Sequence, residues 1–220
     1  MIAALLQLSE IESPRIACLG AHCDDIEIGC GGVLMKLAES YPGSTFDLIV
    51  FSGDESRAAE SRRAARSLLG DSANLNLHFL ELRDGFLPYD GGEAKSKLRE
   101  ISKSLDADVV FTHYRDDAHQ DHRLVSELTA NEFRDQLILE YEIPKYDGDL
   151  GSPNIFVPLD DQTATRKIDV ILERFASQSD KHWFSRDTFE ALMHLRGIEA
   201  GRSVQFAEAF YCRKMVLQNG

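Results

Sequence analysis

A chain of 220 residues with 43% hydrophobic content has the length and apolar fraction of one well-buried domain. No apolar run reaches the roughly 18 residues that would span a bilayer. The 24 basic residues are outnumbered by 37 acidic ones, and the net charge of −13 opposes general attraction to phosphate backbones, which argues against nucleic acid as a partner.

In chain order, RIACLGA (15–21) is a short apolar run of strand type, and Val33, Leu34, Leu37 and Tyr41 then recur at helical spacing, predicting a helix over 28–41. FDLIVF (46–51) reads as a second strand. RAAESRRAARSLLG (57–70) reads as a helix with Ala58, Ala65, Leu68 and Leu69 on one face and Gly70 as its stop. Leu75 to Leu82 is a third strand, Ala94, Leu98, Ile101 and Leu105 mark a third helix, and DVVFTH (108–113) is a fully buried, non-alternating fourth strand. Four strands alternating with helices predict a single α/β domain over 1–220, a Rossmann-like, doubly wound, mostly parallel sheet with helices on both faces. Beyond Arg123 the expected order is a helix to about Phe133, a strand over 137–143 and a Gly/Pro/Asp-rich loop, PKYDGDLGSPN. Two helices, around Ile168 to Phe175 and Phe189 to Met193, and a closing strand over 204–212 complete the expected order.

Cys18, Cys23, Cys30 and Cys212 have no C-x-x-C spacing, so they read as reduced thiols, mostly core. The opening MIAALLQLSEIES lacks a basic n-region and a small-residue cleavage site, which makes the cytoplasm the expected location.

Two polar clusters stand out against this frame. AHCDDIEIGCGG, from Ala21, leaves the first strand, and HYRDDAHQDHR, from His113, leaves the fourth. In an open α/β sheet ligands bind beyond the carboxyl ends of the strands, so both clusters fall on the functional edge. Adjacent acids repel unless something positive sits beside them. A divalent cation held by His22, Asp25 and His122 meets that need: two imidazoles and a carboxylate form a catalytic three-ligand set with a fourth position for water, suited to Zn2+. Fe2+ or another divalent metal tolerates similar ligands. Asp24 is then placed to take a proton from water, and His119 to hydrogen-bond an oxyanion or protonate a leaving amine. Asp121 is placed to orient an imidazole. A lone Asp pair is more often a cap and a lone His more often solvated; the pairing of H-x-D-D with H-x-D-H on one edge is what favours a metal site. GCGG is not G-x-G-x-x-G, and an Asp pair would repel a pyrophosphate, which excludes a dinucleotide loop. Cys30 reads as packing, since no second cysteine pair closes a structural site with it and Cys23.

With their order and spacing, these motifs resemble the LmbE/PIG-L family of metal-dependent N-deacetylases, whose pattern is A-H-P-D-D-E near the amino terminus and H-P-D-H after the fourth strand. Here they read AHCDDIE and HQDH. R-x-x-E at Arg57 to Glu60, A-R-S-L-L-G ending at Gly70, Thr112-His113, and A-E-A-F at 207–210 match weaker family signatures, so the resemblance spans nearly the whole chain. It implies removal of acetyl from an N-acetylglucosamine-type sugar or glycoconjugate, zinc on His22, Asp25 and His122, Asp24 as base and His119 as acid or electrostatic partner. Another amide, such as a thiol-sugar conjugate, or an inactive sugar-binding module are the alternatives; retention of Asp24 and His119 counts against the last. Cys23, Gln120 and Ile26 stand where the family has Pro, Pro and Glu. An accessible Cys23 thiolate would make the site oxidation-sensitive, although a buried, inert thiol is the expected state. Arg57 is a candidate for binding a sugar hydroxyl or phosphate, against the plainer expectation of solvation or a pair with Glu60. The 145–154 loop and 177–184 are expected to line the sugar pocket, with Trp183 a candidate to stack on a pyranose face against the plainer expectation of packing on core or surface. The expected partner is a small amino sugar or glycoconjugate, and a homo-oligomer is compatible with all of this.

Overall fold

The chain is described by a computed structural model covering residue 11 and residues 13–70 and 73–216; the amino-terminal stretch read above for a leader lies almost wholly outside the described residues. Each apolar run of the first half becomes a strand: β1 (Arg15–Gly20), β2 (Thr45–Ser52), β3 (Asn74–Leu82), β4 (Val109–His113) and β5 (Leu137–Tyr141). Between them lie α1 (Asp25–Ser40), α2 (Glu55–Leu69), α3 (Gly91–Ser102) and α4 (Gln120–Glu132). The second half adds β6 (Ile155–Leu159), α5 (Asp161–Arg174), a 3-10 turn (Ala176–Gln178), α6 (Arg186–Ala200) and β7 (Phe206–Tyr211). The seven strands form one sheet in the order β3-β2-β1-β4-β5-β7-β6. β1 to β5 pair in parallel, and β7 runs antiparallel between β5 and β6.

The expected doubly wound α/β domain is therefore present. Alternate residues of the central strands feed two cores, as buried parallel strands require. Ile16, Cys18, Phe46, Leu48 and Phe111 pack with residues of α1, α2, α5 and α6. Ala17, Leu19, Ile49 and Val110 pack with residues of α3 and α4 on the opposite face. Strand order reverses between β1 and β4, whose following loops open side by side.

Three differences from the sequence reading have physical reasons. α1 starts at Asp25, three residues ahead of the apolar periodicity, because its first turn carries the acids Asp25 and Glu27, which an N-terminus favours. β6 (IFVPL) was not foreseen as a strand: it carries Pro158 at the sheet edge, where a missing N–H donor is tolerated. Strand and helix ends elsewhere shift by a few residues, most visibly where the third helix begins at Gly91 and the closing strand at Phe206. No helix among the described residues is long and apolar enough to cross a membrane.

The helix that supplies Asp25 is fixed from two sides. Gly29 lets it press on Tyr141, since a Cβ there would lie 2.2 Å from the ring; the Tyr141 hydroxyl in turn donates to Leu19 O at 2.6 Å. Farther along, the amides of Gly32 and Val33 donate to Glu208 of β7 at 2.8 and 2.7 Å. Lys167 of α5 donates to Glu208 Oε1 and Ile28 O, both at 2.6 Å. Both partners of this ion pair are buried. Removing one partner strands a buried charge, so Lys167→Met is expected to lower unfolding free energy by about 3–5 kcal/mol in urea titration. A loss below about 1 kcal/mol would show that the pair does not anchor α1.

Candidate metal centre and active-site pocket

The loops after β1 and β4 bring their polar clusters together. His22 N donates to Asp25 Oδ2 at 2.7 Å, which folds the carboxylate back beside the His22 ring. His22 Nδ1 lies 3.3 Å from Asp25 Oδ2 and 3.2 Å from His122 Nε2. His122 Nε2 lies 3.6 Å from Asp25 Oδ1. Ligand atoms on a tetrahedral zinc with bonds near 2.0–2.1 Å sit about 3.3 Å apart. The two imidazole nitrogens approach each other at that spacing, each meets a different oxygen of Asp25, and two imidazoles with a carboxylate are donors of the kind a divalent cation takes. Among the described residues, Asp25/His113/His122, His22/His119/His122 and His22/Asp84/Asp121 each gather donor atoms within 4.8 Å, and His22 and His122 each belong to two of these groups.

Charge in this buried cluster is unevenly shared. Burial opposes protonation of His22, but Asp25, Asp121 and Asp84 override it and raise its pKa well above the ordinary value. For Asp25, burial alone would raise the pKa; His122, His113 and His22 outweigh it and hold the carboxyl well below the usual range. His122 is pushed down to about 4 by burial and by the neighbouring His113. Asp24 moves the other way. Burial and the Asp25 charge raise it, against Arg57.

Arg57 does not pair with Glu60. Glu60 accepts instead from the Ser177 amide and hydroxyl at 3.0 and 2.6 Å, drawn there by the 3-10 segment. Arg57 bridges two acids, donating from Nη2 to Asp24 Oδ1 at 3.1 Å and from Nη1 to Asp84 Oδ2 at 2.8 Å. Asp121 lies beside an imidazole, His22, whose pKa it helps to raise, and it also holds a loop. Its oxygens accept from the Gly85 and Leu87 amides at 2.8 and 3.2 Å, and His22 Nε2 is 3.6 Å away. Asp121 pins the loop after β3. A second carboxylate, Asp117, backs the other imidazole: its Oδ2 lies 3.0 Å from His122 Nδ1.

His119 is the N-cap of α4. Its Nδ1 accepts from Asp121 N at 3.2 Å, so the ring proton sits on Nε2. Burial and the charge of His22 lower its pKa, which keeps that imidazole neutral and an Nε2–H donor. His113, fully buried, stacks on His122 with centroids 3.9 Å apart, accepts from Ala21 N at 2.9 Å, and has Nε2 3.1 Å from Asp25 Oδ2. Sequence reasoning missed Asp84, His113 in this supporting place, and Asp117. The available signals were position: Asp84 lies at the start of the loop after β3 on the same sheet edge, and His113 and Asp117 lie in the cluster already singled out.

Above the cluster lies a cavity of about 200 Å³ whose wall includes Arg57, Lys145, Tyr146, Asp147, Lys181 and Trp183. The two expected segments thus reach it, and Trp183 both lines it and packs against the core. Cys23 is buried with Sγ 3.5 Å from Ser52 O, and burial pushes its thiol up to about 12, which leaves it protonated and inert. Cys30 packs in the core and donates to Ile26 O.

A proton held on His22 competes with a cation for the same ring. Below its raised pKa that proton must be displaced, so zinc affinity of chelator-treated protein is expected to rise with pH between about 6 and 8, by up to about tenfold per unit. Calorimetry in two buffers of different ionisation heat measures the proton release; a flat profile without release contradicts the assignment.

Residues 17–133, more than half the chain, match the family model described as PIG-L, GlcNAc-PI de-N-acetylase. An Escherichia coli (strain K12) protein named uncharacterized deacetylase YaiS is 34% identical over 140 residues, 59% of this chain and 74% of that one. Among solved structures, N,N'-diacetylchitobiose deacetylase from Pyrococcus horikoshii superposes with TM-score 0.74 at 21% identity, covering 94% of this chain and 86% of the other. The 4-carboxy-2-hydroxymuconate hydratase GalB of Pseudomonas putida KT2440 superposes with TM-score 0.73 at 16% identity over 94% and 99% of the two chains. At these identities the structural likeness speaks for the fold.

Proposed function

Since the chain belongs to the PIG-L (LmbE-like) family and is a hydrolase of amide bonds of the deacetylase type, we propose that it removes acetyl from an N-acetylglucosamine-type sugar or glycoconjugate at a zinc centre held by His22, Asp25 and His122. The observation that carries this reading is the mutual approach of His22 Nδ1, His122 Nε2 and the Asp25 carboxylate to 3.2–3.6 Å beneath the cavity.

A bound zinc would polarise the amide carbonyl and make water a stronger nucleophile near neutral pH. The remaining work falls to this chain's own side chains. Asp24 takes the proton of the attacking water. Arg57 engages its Oδ1, leaving Oδ2 for that proton, and the raised pKa makes Asp24 a better base than an ordinary surface carboxylate. His119 presents Nε2–H to the developing oxyanion, and the proton that Asp24 has taken from water is the one delivered to the departing nitrogen. The cap bond of His119 fixes both the tautomer and the direction of the ring. Asp121 acts at one remove: it shapes the loop that carries Asp84. Arg57, held by Asp24 and Asp84, faces the cavity and is the candidate contact for a sugar hydroxyl. A cavity of about 200 Å³ falls below the roughly 300 Å³ at which drug-sized ligand sites begin, so one N-acetylated ring fills it and an aglycone extends past Tyr146. Iron(II) would be held by the same donors. Free cysteines accord with a cytoplasmic location.

Acetate release is the test, assayed against N-acetylglucosamine, its glycosides, its nucleotide conjugate and unrelated N-acetyl amides. Wild-type protein with stoichiometric metal is expected to act on the sugars. Asp24→Asn is expected to lose about 10²- to 10⁴-fold in kcat while still binding zinc. Unchanged turnover in Asp24→Asn would remove the base from this account, and turnover confined to the non-sugar amides would remove the substrate.

A further inference from the structure

Lys145 begins the loop that carries Tyr146 and Asp147 to the cavity wall, yet its own ammonium turns inward, and the side chain is only 8% exposed. Its Nζ donates to Asp117 Oδ2 at 3.0 Å and to Ile143 O at 3.2 Å, and lies 2.5 Å from Asp149 Oδ2. Asp117 Oδ2 is the same oxygen that faces His122 Nδ1 at 3.0 Å. Asp117 Oδ1 accepts from His119 N at 2.7 Å, and Asp149 Oδ2 accepts from Ala118 N at 2.6 Å. One ammonium thus ties both ends of a pocket loop to the carboxylate that orients His122 and to the backbone just before His119.

A lysine side chain buried between two acids often does no more than stabilise a loop. Here the shared oxygen makes the difference. A cation drawing on His122 Nε2 makes the opposite ring N–H a stronger donor, which strengthens its bond to Asp117. Anything that fixes Asp117 fixes what Lys145 holds. Binding linkage is reciprocal, so order in the loop must then return as affinity for the cation.

Resting on the reading that His122 is a metal ligand, we propose that Lys145 is a positioning residue that couples the 144–150 pocket loop to the metal centre, so that cation binding orders the loop that faces substrate. Without Lys145 the two acids, Asp117 and Asp149, are left without the charge between them, and the loop loses its inward anchor.

Amide hydrogen exchange, with and without zinc, tests this in wild type, Lys145→Met and Lys145→Arg. In wild type, zinc is expected to slow exchange by about fivefold or more both at residues 119–125 of the α4 start and at 144–150. In Lys145→Met the slowing at 119–125 persists, that at 144–150 falls below about twofold, and the zinc Kd rises about tenfold; Lys145→Arg restores both. Zinc that protects 144–150 equally in wild type and Lys145→Met overturns the inference and leaves the proposed function standing. The same holds if wild type shows protection at 119–125 alone, a result that needs no variant to fold. Failure of zinc to protect 119–125 in wild type defeats the metal assignment, and this inference with it.

Discussion

Burying two adjacent carboxylates is the constraint on which the rest of this molecule depends. Asp24 and Asp25 are each at most 4% exposed at the end of a central strand, where the mutual repulsion of two unsolvated charges is severe. The fold relieves it by separating their company. Asp25 faces three imidazoles, His22, His113 and His122; Asp24 faces Arg57, which is itself held by Asp84. None of these partners is near in sequence apart from His22. They meet because the chain crosses from β3 to the far side of β1 before laying down β4, which sets the β1 and β4 loops beside one another.

Opposite environments give neighbouring, chemically identical side chains opposite roles. Asp25 is held ionised, which suits the ligand role proposed for it, while Asp24 is pushed toward holding a proton, which suits the proposed base. The two histidines of HQDH are sorted in the same way. His122 is turned inward with Asp117 behind it, whereas His119 spends its Nδ1 on the helix cap and keeps Nε2–H for the cavity. GalB, a hydratase by name, shares the fold, so the reaction must be argued from this arrangement of side chains and not from topology.

Much of this was legible in the sequence because its signals are local. Strands β1, β2 and β4 are uninterrupted apolar runs, and their pairing in a parallel sheet follows from the helices between them. His22, Asp25 and His122 announce themselves by type and by position at strand ends. What stayed hidden depends on contacts between distant segments. Asp84 sits in a plain LRDG turn and matters only because Arg57 and His22 reach it. Asp121 lies near an imidazole, but its bonds to two amides of the loop after β3 could not be read from its own neighbourhood. Glu60, at helical spacing from Arg57, was claimed by Ser177, which lies 117 positions away. The β6 strand hid behind a proline that only an edge position excuses.

The proposed chemistry stands or falls on whether His22, Asp25 and His122 share one cation. X-ray absorption at the zinc edge of the loaded, active protein reads that shell directly. The account predicts only nitrogen and oxygen scatterers near about 2.0–2.2 Å, with multiple-scattering features of two imidazoles. A sulfur scatterer near about 2.3 Å, or a shell without imidazole, would contradict it.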